Sequence, residues 1–374
     1  MNRPYAKLTI TKKGERAARS GHPWVYGEEV THVEGTYQTG DIVDVYSDKD
    51  RYLGTGFAND ISKIRVRIVS RNANDRFDEA FWQRRVKYAL DYRKTVMGDK
   101  DFACCRLIFG DADDMPGLTV DRYNDVLVAQ TLCYGMDQVK PVIFKALVDE
   151  LAAMGVTIRG IYERNDVKVR ELDGMEEYKG WYQADFLPQP GSVLTTIDEN
   201  GILYDVDVEN GQKTGFFLDQ KYNRLAVAKI AAGKHVLDCF THTGAFALNA
   251  AKGGAASVTA VDISQEAVDM TNENIRRNGL EDIVTAKQAN VFDLLTDLAD
   301  HKCHDYDFII LDPPAFTKSG HTVHNAIRGY KEINLKAMKL LPRGGYLTTC
   351  SCSHFMRDDL FRRMLHDAAK DAGV

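Results

Sequence analysis

The stretch His235-Val-Leu-Asp-Cys-Phe-Thr-His-Thr-Gly244 reads as a strand that runs into a tight turn. Four apolar or small residues run straight into a turn, and a helix-forming run, Ala245 to Ala251, follows. The same unit recurs downstream. Val258-Thr-Ala-Val261 precedes a helical run from Glu266 to Asn278, and Val284-Thr-Ala-Lys287 follows it. Tyr306-Asp-Phe-Ile-Ile-Leu311 precedes Tyr330 to Leu341, and Gly345-Tyr-Leu-Thr-Thr349 precedes Asp358 to Ala369. Apolar strands alternating with helices at this spacing predict a parallel, doubly wound α/β sheet with right-handed crossovers. Ligands of such sheets bind beyond the carboxyl ends of the strands.

Four of those ends carry chemistry. At the first, Asp238 offers a carboxylate to a cationic ligand such as a sulfonium or an amino group, and Gly244 is the one glycine of the turn. A dinucleotide fingerprint needs three glycines, which disfavours a nicotinamide dehydrogenase. At the second, Asp262 stands where a ribose diol is gripped, or where an N-cap for the helix starting near Gln265 is wanted. Together with Asp238 it favours an adenosine-bearing ligand. At the third, Asp312-Pro-Pro-Ala-Phe316 cannot continue a strand or helix. Its carboxylate and aromatic face suit a planar base, one by hydrogen bonding and the other by stacking. At the fourth, Thr349-Cys-Ser-Cys-Ser353 places Cys350 and Cys352 on one side of an extended chain. Either sulfur can be a nucleophile or a buried small hydrophobe. Upstream, Glu209 to Gln220 and Tyr222-Asn-Arg224 form a polar, glycine-containing stretch before a helix, read as a lid or ligand-binding loop, or else a surface hairpin.

The first ~70 residues alternate short strands, among them Leu8-Thr-Ile10, Asp41 to Tyr46 and Lys63 to Val69, with turns marked by glycines, Gly54 and Gly56 included. They predict a small β-barrel or sandwich. Lys63, Arg65 and Arg67 share one face of the last strand, either a solvated face or one turned to nucleic acid. A basic helix runs from Asp78 to about Val96, with Arg84, Arg85, Lys87, Arg93 and Lys94. A hairpin around Asn124-Asp125 and a helix from Met136 to Met154 complete a central α+β region. Pro188, Pro190 and Gly191 read as its end. The expected domains are therefore 1–72, 73–190 and 191–374.

The chain of 374 residues is 44% hydrophobic and 27% charged, which excludes a mostly disordered chain. No run approaches the ~20 apolar residues of a membrane span, and the first residues lack the apolar core of a signal peptide, so a cytoplasmic protein is expected. Seven scattered cysteines are no disulfide scaffold, and His301-Lys-Cys303-His304 reads as a polar loop, so no metal is expected. The net charge is −6, yet residues 1 to 75 hold 12 Lys and Arg against 10 Asp and Glu. Any phosphate contact must therefore rest on local placement of cations.

On these motifs the chain resembles the bacterial large-subunit (23S) ribosomal RNA cytosine-C5 methyltransferases with an N-terminal PUA domain. Gly21-His-Pro-Trp-Val-Tyr26, Gly40-Asp-Ile-Val43 and Ser62 to Arg67 are similar to the PUA fold. Gly110 to Tyr123 is similar to a segment of that family, with Asp114 where glycine is usual. The resemblance implies a class I, Rossmann-like methyltransferase sheet behind a PUA barrel and a central domain, with S-adenosylmethionine as cofactor. It implies that Asp238 and Gly244 line the methionine end, Phe240 and Asp312 also meet the cofactor, Asp262 holds the ribose and Asn290 faces the adenine amine, where an acid is usual. Gln220 and Arg224 would close over the cofactor, Cys352 would be the nucleophile and Asp312 would hold the base. Cys350 is the rival nucleophile, because Thr349-Cys-Ser351 resembles the motif of other RNA cytosine methyltransferases. The implied partners are ribosomal RNA and a second copy of the chain. Two closing antiparallel strands usual in this fold have no counterpart before Val374. A base N-methyltransferase needs Asp-Pro-Pro without the cysteine, and a non-catalytic RNA-binding assembly protein needs neither.

Overall fold

The computed structural model describes residues 3–188, 190–317 and 319–374. Two compact units emerge: one runs to Ile197 and adds Asp205–Leu218, the other comprises Asp198–Tyr204 and Asp219–Val374.

In the first unit, β1 (Ala6–Ile10), α1 (Lys12–Arg19), β2 (Trp24–Tyr26), β3 (Val30–Glu34), β4 (Ile42–Ser47), β5 (Tyr52–Ala58) and β6 (Ile64–Ser70) come first. Their sheet has the order β2-β6-β5-β4-β1-β3, with β1 parallel to β4 and the other pairs antiparallel. Register shifts interrupt four of the pairings, which bends the sheet around Leu8, Ile10, Val43, Val45 and Val66. The glycines of β5 read as turns in the sequence, but one is a packing demand. A Cβ on Gly56 would stand 2.0 Å from the carbonyl oxygen of Arg67.

Next come α2 (Glu79–Phe102), β7 (Cys104–Phe109), β8 (Leu118–Tyr123), β9 (Val126–Thr131), α3 (Tyr134–Ala153), β10 (Gly160–Asn165) and β11 (Tyr178–Trp181). Asp78 caps α2, its side chain accepting from Phe81 N at 3.0 Å. The second sheet runs β11-β10-β9-β8-β7, and α3 is the crossover between parallel β9 and β10. Its core includes Trp82, Leu90, Phe102, Leu118, Phe144 and Leu147. Phe57 of β5 stacks on Trp82 at 5.7 Å, joining this core to the first sheet.

Two basic features change meaning here. Arg67 does not lie on a solvated face. Its Nη2 donates to Asp173 at 3.0 Å, its guanidinium lies over Trp24, and its side chain is 13% exposed. The basic helix is largely neutralised by its own neighbours: Arg84 pairs with Asp75, Arg85 with Asp114, Lys87 with Asp91, Arg93 with Asp113 and Lys94 with Asp99.

A hairpin follows, β12 (Leu194–Glu199) and β13 (Ile202–Asp207). The second unit then contains α4 (Lys221–Ile230), β14 (His235–Cys239), α5 (Ala245–Lys252), β15 (Ser257–Asp262), α6 (Gln265–Arg277) and β16 (Val284–Gln288). It continues with α7 (Val291–Asp300), β17 (Phe308–Leu311), α8 (Val323–Leu340), β18 (Tyr346–Thr349) and α9 (Asp358–Ala372). The sheet is β16-β15-β14-β17-β18, all parallel. Strand order reverses at β14, so the crevice of this sheet opens between β14 and β17. Phe308, Ile309, Ile310 and Leu311 are all fully buried, as a central strand covered on both faces requires. Helices α4 and α5 pack together, as do α7 with α8 and α8 with α9.

Candidate active site

The loop after β14 is built to bring backbone to the crevice. Phe240, His242 and Gly244 have φ of 63°, 53° and 81°. Only glycine fits at 244, where a Cβ would lie 2.7 Å from Thr271 Cγ2 and 2.8 Å from Leu248 Cδ1. Asp238 sits just before this loop, fully buried in an otherwise apolar strand. Its Oδ2 accepts from Thr241 Oγ1 at 2.6 Å and from Ala247 N at 3.0 Å. Its Oδ1 has no partner. Burial, with Asp312 and Asp262 nearby, pushes this carboxyl up to about 7.

Asp262 ends β15. Its Oδ2 accepts from His242 N at 2.9 Å and its Oδ1 from Ser264 N at 3.0 Å, so it shapes the β14 loop as well as its own. It is not the cap of α6. Ser264 is, accepting from Ala267 N. Asp312 follows β17, its N–H directed to Cys239 O at 3.4 Å. Burial pushes its carboxyl up to about 6 against the pull of Arg224. Three acids thus meet at the switch point, one with an unpartnered buried oxygen. A cationic ligand with a hydroxylated arm fits this donor set, and an anion does not.

The other expected residues fall in the same unit with different duties. Arg224 does not stand on a closing surface. It is buried and makes a two-pronged pair with Glu199, at 2.6 and 2.8 Å, that anchors α4 to the tip of the β12–β13 hairpin. Gln220 accepts from Asn223 Nδ2 at 2.7 Å and bonds the Cys350 thiol. Asn290 caps α7, its side-chain oxygen accepting from Phe292 N at 3.0 Å. Phe240 lies 6.4 Å from Phe292, edge to face. The 209–218 stretch is no free lid: buried Thr214 donates to Asp121 at 2.6 Å, and Tyr123 bonds Thr214 and Phe216. Among the described residues, no three His, Cys, Asp or Glu side chains are grouped to hold a metal ion.

The two cysteines after β18 differ. Cys350 is half-buried, and burial beside Asp312 pushes its thiol up to about 12. Cys352 is exposed, and its Sγ lies 3.6 Å from the carbonyl oxygen of Pro313, in the turn that carries Asp312. Sequence reading missed the hydroxyls around it. Tyr330 OH bonds Ser353 Oγ at 2.9 Å and Ser351 Oγ at 3.0 Å, and Ser353 Oγ accepts from Phe316 N at 3.1 Å. Phe316 itself is packed 4.5 Å from the Tyr330 ring. Glu199 was also missed. Nothing local marks it, because its partner Arg224 is 25 residues away.

The chain is similar to known methyltransferases in sequence and fold. A family model for a PUA-like domain matches residues 8–71, and one for S-adenosylmethionine-dependent methyltransferases matches residues 142–373. Ribosomal RNA large subunit methyltransferase I of Shewanella amazonensis is 40% identical over 368 residues, covering 98% of this chain and 90% of that protein. The protein of that name from Klebsiella pneumoniae is 36% identical over 371 residues, covering 99% and 90%. Among solved structures, a Streptococcus mutans protein described as a SAM-dependent methyltransferase superposes with a TM-score of 0.77 at 24% identity, covering 97% of this chain and 90% of that one. A methyltransferase complexed with SAH gives 0.78, also at 24% identity and with the same coverage. The chain is therefore an S-adenosylmethionine-dependent methyltransferase with an N-terminal PUA-like domain, and it belongs to the ribosomal RNA large subunit methyltransferase I family.

Proposed function

We propose that the protein methylates C5 of a cytosine in large-subunit ribosomal RNA, with Cys352 as nucleophile, and that it works in the cytoplasm. The observation that carries this reading is the contrast between the two thiols. Cys352 is exposed beside the Asp-Pro-Pro turn, whereas the Cys350 thiol is held up at about 12 and is poorly nucleophilic at neutral pH. The curated relatives named above are called ribosomal RNA large subunit methyltransferases, which supports the substrate class.

S-adenosylmethionine, when bound, supplies an electrophilic methyl group on a sulfonium. The unpartnered Oδ1 of Asp238 would hold its ammonium, and Asp262 would hold its ribose. A cytosine taken out of its stack enters beside Asp312. The Cys352 thiol loses its proton and the sulfur bonds C6, which makes C5 electron-rich. Asp312, at about 6, is poised to share a proton with N3 and so offset charge on the ring. C5 would take the methyl group as the methyl–sulfonium bond breaks and S-adenosylhomocysteine is left as a neutral thioether; a base removes the C5 proton, and the C6–sulfur bond breaks to restore the ring.

Large-subunit ribosomal RNA substituted with 5-fluorocytosine tests this. Fluorine at C5 cannot leave as a cation, so the adduct persists. Wild-type protein and the Cys350→Ala variant should become covalently bound to the RNA, and Cys352→Ala should not. Equal methylation by Cys352→Ala would favour a nitrogen target, which the Asp-Pro-Pro turn also serves.

A further inference from the structure

We propose that Tyr330 is a positioning residue that aims the Cys352 sulfur, an inference that rests on Cys352 being the nucleophile. Tyr330 is fully buried on α8. Its hydroxyl bridges the serines on either side of the exposed thiol.

Along an extended chain, residues two apart point the same way and the one between them points the opposite way. Gripping Ser351 and Ser353 from the inside therefore forces Cys352 outward. The burial agrees: Ser353 is buried, Ser351 is half-buried and Cys352 is exposed. The network also has a direction. The Ser351 hydroxyl donates to Tyr330, so the Tyr330 proton is available for Ser353 Oγ, which accepts from Phe316 N as well. Phe316 belongs to the turn carrying Asp312, and Cys352 meets that turn again through Pro313. One hydroxyl thus fixes two things, which way the sulfur faces and how the thiol loop registers on the carboxylate loop. The ring is held independently, 4.5 Å from Phe316 and 5.7 Å from Phe361, so phenylalanine can keep the packing and delete only the grip.

The test compares wild type, Tyr330→Phe, Ser353→Ala and the double variant, on unmodified and 5-fluorocytosine ribosomal RNA. In Tyr330→Phe, adduct formation and kcat should fall together by roughly 10- to 100-fold, the cost of displacing a reacting atom by about an ångström. KM for RNA and the affinity for S-adenosylhomocysteine should stay unchanged, as a general loss of fold would not allow. The double variant should lose no more than the worse single variant. Unchanged kcat in Tyr330→Phe, or losses that multiply in the double variant, would overturn the proposal. A fall in methylation without a fall in adduct formation would overturn it too. Should Tyr330→Phe not fold, Ser353→Ala removes the Tyr330–Ser353 bond together with the acceptor of Phe316 N, and carries the same expectations. Failure of the nucleophile reading has its own signature, an active Cys352→Ala. In that event the alkylation rate of Cys352 by iodoacetamide decides: several-fold slower in Tyr330→Phe supports the aim, and an equal rate refutes it.

Discussion

Asp238 should make the cofactor-free protein less stable than it would be with a neutral residue there. The carboxyl goes from 3.8 to about 7 on burial. At 1.36 kcal/mol per unit, ionised Asp238 costs the native state up to about 4 kcal/mol. The sign follows from linkage. A carboxyl whose pKa rises on folding supports the native state most where it is protonated, below about 4. That support fades as pH climbs through about 7 and is gone at pH 8. Asp238→Asn keeps the size, and its amide oxygen can still accept from Thr241 and Ala247. Cofactor-free Asp238→Asn should therefore exceed wild type by about 2–4 kcal/mol at pH 8, and by much less at pH 5. By calorimetry that is roughly 4–16 °C in Tm at pH 8, at about 2–4 °C per kcal/mol for a unit of this size. The same variant should lose S-adenosylhomocysteine binding in titration calorimetry, because the oxygen that meets the ammonium is gone. A variant destabilised equally at both pH values would refute the burial argument. A variant that binds normally would refute the assignment of Oδ1 to the cofactor.

Further outcomes follow from the same geometry. Wild-type affinity for S-adenosylhomocysteine should weaken as pH falls below about 7, by up to about tenfold per unit, with proton release visible in buffers of different ionisation enthalpy. Iodoacetamide at pH 8 should label Cys352 well before Cys350, as peptide mass spectrometry would show, since a thiol at about 12 is almost wholly protonated there. Arg224→Gln should cost about 3–5 kcal/mol in urea unfolding by stranding buried Glu199. It should also move the limb of the activity profile that Asp312 governs to higher pH, because Arg224 pulls the Asp312 carboxyl down. Arg67→Ala should lower stability, by stranding Asp173, while leaving the salt dependence of RNA binding unchanged.

The fold was legible where one residue's pattern is local. The strands ending at Asp238, Asp262 and Asp312 announce themselves by apolar runs before polar turns, and those ends do converge. Helix Val291–Asp300 was missed although Asn290 caps it and Val291 and Leu295 share its buried face. Its acids at 293, 297 and 300 hid the stripe. Strand Tyr52–Ala58 was missed because its two glycines read as turns, when at least Gly56 answers the close carbonyl of Arg67. The alternation around Arg67 is visible in the sequence, but its partner Asp173 lies 106 residues on, beyond any local signal. The Ser264 cap shows the opposite limit: Asp262 and Ser264, two residues apart, are both chemically able to cap a helix, and only geometry separates Asp262 from the capping role.

The identity of the methylated nucleoside decides whether cytosine C5 is the target. Purified protein, S-adenosylmethionine with a tritiated methyl group and unmodified large-subunit ribosomal RNA are incubated with wild type and Cys352→Ala side by side. The digested nucleosides are then separated. Label in 5-methylcytosine with the wild type, and none with Cys352→Ala, is the predicted result. Label of equal size with the variant, or label in a methylated nitrogen of guanine or adenine, would contradict it.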